Sequence, residues 1–197
     1  MAKPESLRSQ QRSFTRTRFL DAALEVFKEV GFHEATIDMI TTRAGANRST
    51  FYLHFKDKTS LALAAWQRIS PSGQEAFALI NEMEEPTFKS MRAWVDYMAD
   101  TWVEHSELYS AIMQAQMTDS AITTRNYEII REDMSPYINR FKGKRKTEAK
   151  RRVELFCMQF EMYFFTTICQ YKEKPASDDL DLLAELSLYT LFQKTRA

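Results

Sequence analysis

Glycine and proline are scarce in this chain, four and five in 197 residues. Few positions therefore oblige a helix to stop, and the long runs of helix formers between them predict a nearly all-helical fold. No segment alternates with period two for long enough to make a strand. Cysteine is limited to Cys157 and Cys169, twelve residues apart in one apolar stretch. On a single helix that spacing is about 18 Å along the axis, too far to bridge. The expectation is two buried reduced thiols, which suits a cytoplasmic protein. Histidine is equally thin: His33, His54 and His105 are scattered, and no His or Cys spacing suggests zinc. A glycine-rich phosphate loop and a nucleophile elbow are both missing. Catalytic residues, metal and cofactor are accordingly expected to be absent, and the chain is not read as an enzyme. The N-terminal MAKPESLRSQQRSFTRTR lacks the apolar run of a secretory signal. The longest apolar stretch, LFCMQFEMYFF, is broken by Gln159 and Glu161 and falls short of a membrane span.

The formal net charge is zero, but the charges are not evenly spread. Residues 1–60 carry ten basic and seven acidic side chains, residues 61–130 four and ten, and residues 131–197 thirteen and ten. A basic front with an acidic middle suits contact with nucleic acid at one end.

That end contains the most informative segment, TIDMITTRAGANRSTFYLHFKDK at 36–58. Thr36 is a natural N-cap before Ile37 and Ile40, Gly45 is the stop, Asn47 caps a second short helix, and Asp57 caps a third. A capped helix, a glycine turn and a second helix carrying Arg, Ser, Thr, Tyr and His is the layout of a helix-turn-helix. An ordinary helical hairpin would account for Ile37, Ile40, Ala44, Phe51 and Phe55 as core. It would not account for the opposite face, where Arg48, Ser49, Thr50, Tyr52 and His54 present hydrogen-bonding groups with no acid to repel phosphate. In a major groove Arg48 has the fork to hold a guanine, Thr50 to donate or accept at a base, and Leu53 to touch a thymine methyl. Thr36 and Arg43 reach towards phosphates from the preceding helix, and Lys58 adds charge at the start of the following one. Arg8, Arg12, Arg16 and Arg18 extend the footprint as a mobile arm, or, for Arg8 and Arg12, form a solvated tail.

Residues 13–61 resemble the N-terminal domain of the TetR family of transcriptional regulators. A long first helix ends at Gly31-Phe32, Thr36 opens the second helix, Ala44-Gly45 make the turn, and Phe51-Tyr52, His54-Phe55, Lys58 and Leu61 follow at the family's spacing. Met39, Thr41, Ala46, Asn47 and Ser49 depart from its commonest residues. The resemblance implies that Tyr52 and His54 contact phosphate. It covers about a quarter of the chain.

The rest reads as further helices. The first should span Ser13–Val30, with a break expected at Ser70-Pro71-Ser72-Gly73 and a boundary at Glu84-Glu85-Pro86. Later helices are expected over residues 87–104, from caps at Ser106 and Asp119, and over 147–171 and 177–194, with 142–152 as a basic connection entering the first of these last two. Both terminal helices are apolar almost all round, which a surface helix does not need. Either they are a wholly internal pair or one face meets a second chain. Helix-turn-helix proteins pair to match two half-sites, so a homodimer is expected through Leu155, Met162, Leu183, Leu186 and Phe192. The family resemblance implies the same terminal helix pair.

Methionine and tryptophan gather in the same region. Met91, Trp94, Met98, Trp102, Met113, Met117, Phe160 and Phe164 suit the lining of a cavity for a small apolar effector, with Tyr97, Gln114, Gln116 and Tyr163 as polar companions. Plain core accounts better for any single member, and the resemblance favours the group. The whole reading is an all-α chain, residues 1–60 a helix-turn-helix DNA-binding domain and residues 61–197 a helical ligand-binding and dimerisation domain. It would be a repressor released from palindromic double-stranded DNA by its effector. A regulator answering to a protein partner, or a helical carrier or enzyme, are the alternatives.

Overall fold

The computed structural model describes residues 6–69 and 71–192, and every described element is a helix or a turn. Helix α1 (Leu7–Glu34) is capped by the Ser6 hydroxyl, which accepts from Ser9 N. It starts earlier than the apolar stripe implies, because the polar turns ahead of Ser13 continue the helix. Its regular part ends where Gly31 adopts φ 78°, a left-handed conformation that glycine enters without a Cβ penalty. Phe32 and Ala35 fold back and are buried.

Helices α2 (Ile37–Arg43) and α3 (Arg48–Tyr52) follow, and then α4 (Lys58–Ile69). Asp57 and Ser60 form a reciprocal cap at the start of α4, with Ser60 N donating to Asp57 Oδ1 at 2.7 Å and Asp57 N to Ser60 Oγ at 3.1 Å. The expected break separates α4 from α5 (Pro71–Glu82), which opens on proline; Ser70 lies outside the described residues. Helix α6 (Phe88–Glu104) has a capping box of Thr87 and Ser90, and buries Met91, Trp94, Val95, Met98, Ala99 and Trp102 on one face. Then come α7 (Ser106–Thr118), α8 (Ser120–Asp133), capped by Asp119, and the short α9 (Ser135–Asn139).

Helix α10 runs from Lys144 to Phe164. The basic segment is therefore already helical from Lys144, not a connection, because its Lys, Arg, Glu and Ala residues are helix formers with a free solvent face. From Phe165 to Gln170 the chain widens into a π-helical turn. Helix α11 (Ser177–Phe192) closes the described fold, and the last two residues expected in it lie outside the described residues.

Two apolar cores result. One gathers α5, α6, α10 and α11 around Trp94, Trp102, Phe156 and Phe164. The other joins α1, α2, α3 and α4 to α7 through Phe19, Val26, Phe51, Leu61, Ile112 and Ala115.

Gly45, at the turn between α2 and α3, has φ +59°, and a Cβ there would lie 2.7 Å from Arg18 Nη2. That guanidinium donates to the carbonyls of Ala44 and, at 3.2 Å, Gly45. Gly45→Ala is expected to cost about 2 kcal/mol, combining the left-handed backbone with displacement of Arg18. In an Arg18→Ala background only the backbone part of about 1 kcal/mol should remain. Urea denaturation of the two singles and the double decides it, and additive losses would show that Arg18 is not braced against this turn.

Candidate nucleic-acid interface and effector clefts

The helix-turn-helix is held from below by aromatic packing. Phe51 is fully buried, with Phe19 edge-on at 5.6 Å and Phe55 at 5.7 Å between ring centroids. With Phe51 inward, the short α3 turns Arg48, Ser49, Tyr52 and Leu53 outward, and all four are exposed. Thr36 and Asn47 act as the caps their sequence positions imply. Thr36 Oγ1 accepts from Met39 N at 3.2 Å, and Asn47 Oδ1 from Thr50 N at 2.8 Å. Asn47 Oδ1 also accepts the Thr50 hydroxyl at 2.9 Å. With its proton used there, Thr50 Oγ1 faces outward as an acceptor, matched to the amino group of adenine or cytosine.

The basic residues divide. Arg48 is exposed and reaches Asp38 of α2 at 3.3 Å, with Tyr52 beside it. An ion pair so open to water is worth little, and a guanidinium has donors to spare. Arg43 instead turns back to α1. It makes a two-pronged pair with Glu29 at 2.9 and 2.7 Å and another bond to Glu25 at 2.9 Å. In this arrangement a phosphate would have to compete with Glu25 and Glu29 for Arg43. Lys58 also points inward: Nζ donates to the carbonyls of Phe32, His33 and Ala35 at 2.5, 3.2 and 2.8 Å and lies 4.4 Å from the centre of the Phe32 ring. It satisfies carbonyls left open where α1 ends, and burial holds its pKa below the usual range. Arg16 and Arg18, expected in a mobile arm, sit on α1 and brace the unit. Arg16 lies 4.5 Å from the Phe55 ring centre and donates to His54 O at 3.4 Å. Burial, with Arg12 and Arg16 nearby, lowers the His54 pKa.

The family profile described as bacterial regulatory proteins, tetR family, matches residues 19–65, the stretch that builds this unit. Residues 19–65 thus match the DNA-binding domain of the TetR family. The chain is 30% identical over 107 residues to the HTH-type transcriptional repressor NicS of Pseudomonas putida, covering 54% of this chain and 50% of NicS. It is 29% identical over 104 residues to the HTH-type transcriptional regulator BetI of Escherichia coli, covering 53% and 52%. The chain thus spans about half the length of these curated relatives. Two solved structures share the fold over nearly its whole length. SmeT, the repressor of the Stenotrophomonas maltophilia multidrug efflux pump SmeDEF, covers 91% of both chains with a TM-score of 0.63 at 19% identity. A TetR-family regulator from Mesorhizobium loti covers 95% and 97% with a TM-score of 0.59 at 16% identity.

Around the core of α5, α6, α10 and α11 the residues expected to line a cavity separate into three groups. Met91, Trp94 and Phe164 are packed in the core and border neither cleft described next. Met98, Trp102 and Phe160 line a narrow inner cleft with about 30 Å³ of free space, together with Trp66, Phe77, Tyr109, Asn126, Asp133 and Glu161. Met113 and the exposed Met117 line an outer cleft of about 440 Å³ with Tyr127, Met158 and Met162. Of the polar companions, Gln116 borders the outer cleft. Tyr97 bonds instead to Glu75, Tyr163 to Asp179 and Gln114 to Ser110.

The residues not anticipated are Glu161, Asn126 and Asp133. Glu161 belongs to both clefts. Its signal in the sequence is the acid interrupting an otherwise apolar run. Its one hydrogen bond is long, from Asn126 Nδ2 at 3.4 Å. Burial pushes its carboxyl up to about 7, with the Asn126 bond pulling the other way.

Because the folded chain holds this proton up to about pH 7 while the unfolded carboxyl releases it near its ordinary value of 4.5, stability is greatest below the lower value, falls between the two and is level above. Glu161→Gln removes that loss. The variant should exceed the parent by about 1–3 kcal/mol at about pH 8 and match it near pH 4.5. Asp133, Tyr109, Tyr127 and Cys157 also surround this group, but the phenols and thiol stay protonated throughout, and Asp133 is common to both proteins. Denaturation midpoints of the pair across that range test it, and a gap that does not narrow on acidification would refute the buried proton.

Proposed function

We propose that this chain is a homodimeric transcriptional repressor of the TetR family, acting in the cytoplasm, that leaves a palindromic DNA operator when a small effector enters its C-terminal half. Residues 1–60 serve as the DNA-binding domain and residues 61–197 as the effector-binding and dimerisation domain. The observation that carries the reading is the position of α4. Its buried Leu61, Ala62 and Ala65 belong to the core beneath the helix-turn-helix. One residue further on, Trp66 packs edge-on against Tyr109 at 4.9 Å and walls the inner cleft. A ligand that parts the cleft therefore pushes on the helix that carries the reading head.

On the operator, Arg48 and Thr50 read bases while Thr36, Asn47, Ser49, Tyr52, Leu53 and His54 fit the groove wall. Arg43 and Lys58 act indirectly by fixing α1 against α2 and α4. Two such heads about 34–36 Å apart match successive major grooves. An effector that binds a differently spaced state more tightly lowers DNA affinity by the same coupling factor.

Dimerisation is proposed through the outward stripe of α10 and α11. Leu155, Met158, Met162, Leu182, Leu186 and Tyr189 are 49–57% exposed in the single chain, and such a patch calls for a partner. Leu183 and Phe192, expected in the same interface, turn the other way: Leu183 is buried in the protomer's own core and Phe192 packs against Tyr137 at 5.6 Å. On a helix apolar all round, the neighbouring α6 and α10 take that face.

Two measurements test the reading. Leu186→Glu places an unpaired charge in the proposed interface and is expected to give folded monomers in sedimentation, with operator affinity lost. A stable dimer would move the interface elsewhere. Arg48→Ala should cost about 1–3 kcal/mol on a palindromic operator and far less on random duplex at the same salt concentration. If both affinities fall together, Arg48 contacts phosphate and Thr50 or DNA shape carries the specificity.

A further inference from the structure

The inner cleft has an electrical character that an uncharged apolar ligand leaves unanswered. Glu161 and Asp133 border it, and no Lys, Arg or His is among its lining residues. Glu161 has no cationic partner among the described residues, only the 3.4 Å bond from Asn126. An aromatic corner lines the same cleft. Trp102 stacks on Tyr109, 4.0 Å between ring centres and 12° between planes, and Trp66 meets Tyr109 edge-on. Trp102 is 2% exposed, and its Nε1–H has no acceptor among the described residues. Trp94 shows the contrast, since its Nε1–H donates to Ala76 O at 2.7 Å. A partly buried acid without a counter-charge holds its proton up to about pH 7, and a cation beside it would favour the ionised form; a buried donor without an acceptor is costly. Aromatic faces beside a carboxylate attract a cation, and an anion would be repelled by both acids.

Resting on the effector reading above, we propose that the ligand is an organic monocation carrying an ether or carbonyl oxygen. Its charged head sits against Glu161, Trp102 and Tyr109, and its apolar body lies along Met113, Met117 and Tyr127 of the outer cleft. Glu161 is the wall shared by the two clefts, so one molecule reaches both. The inner cleft is too narrow for a head group as it stands, so binding has to part its walls, of which Trp66 is the one on α4.

The test compares two molecules of one shape with the full chain. Phenoxyethyl-trimethylammonium carries the charge and the ether oxygen; 3,3-dimethylbutyl phenyl ether replaces the nitrogen by carbon. Titration calorimetry should show the cation binding at least about tenfold tighter. Glu161→Gln, close in shape to the parent, should lose that preference while keeping its affinity for the neutral ether within about twofold. Equal affinities in the parent, no binding of the cation, or a preference that survives Glu161→Gln would each overturn the proposal, the first two without need of a variant. Operator binding followed in the same samples separates this from the broader reading. A Glu161-dependent cation that leaves the operator bound would keep the site and remove its effector role. Release by the neutral ether alone would keep the effector role and remove the cation.

Discussion

The helix-turn-helix unit does not close its own core. The apolar faces of α1 to α4 leave a side open, and α7 fills it with Leu108, Ala111, Ile112 and Ala115. The contact is made largely through alanine. Ala23, Ala62, Ala65, Ala111 and Ala115 are buried to 1% exposure or less, so α1, α4 and α7 approach closely and have little room to slide. A close-packed interior changes between discrete arrangements and does not deform smoothly. The position of the reading head is thereby tied to α7, a helix that also contributes Tyr109 and Met113 to the effector clefts. A polar link runs beside it: Asp119, which caps α8 through Ala121 N, also accepts the Thr59 hydroxyl at 3.3 Å.

Within the head, sequence reasoning located the elements and most of the exposed face, because caps and turn residues act over three or four positions. Thr36, Asn47 and Asp57 cap the helices that their spacing implied. Where it failed, the deciding partner was far away in the chain. Arg43 answers to Glu25 and Glu29 on α1, and Lys58 answers to carbonyls at the end of α1 more than twenty residues earlier. A cation beside a DNA-facing surface looks alike in sequence whether it points to phosphate or to a helix end. The two outcomes serve one purpose, since both residues fix the angle between α1 and its neighbours.

The C-terminal half was legible in kind more than in orientation. The period of α6 assigned its buried face correctly, because polar residues mark the other side. In α11 apolar residues surround the axis, and no period distinguishes Leu183, which is buried, from Leu182 and Leu186, which are not. The effector region shows the same limit. The methionine and tryptophan content pointed to helices that border the clefts, but Met91, Trp94 and Phe164 were consumed as core. The polar features of the cleft came from single residues on α8 and α10, Asn126, Asp133 and Glu161, that only folding brings together.

Trp66 is the residue on which these threads meet, because it packs against both apolar cores. In the state described here the inner cleft holds about 30 Å³, roughly what a single water occupies. That closure has an energetic consequence. A ligand entering a preformed void would gain its contacts without moving α4 and would shift no equilibrium, however tightly it bound. A ligand that must open the cleft binds the opened arrangement more tightly, and that difference is the most it can deliver to the DNA-binding end. The unpaired Glu161 carboxylate and Trp102 donor enlarge the difference, since satisfying them rewards the ligand only after the aromatic wall has parted. On the proposed function, poor satisfaction of polar groups in the closed core is the source of the signal, and the alanine-lined contact of α1, α4 and α7 is the means by which it would reach the helix-turn-helix.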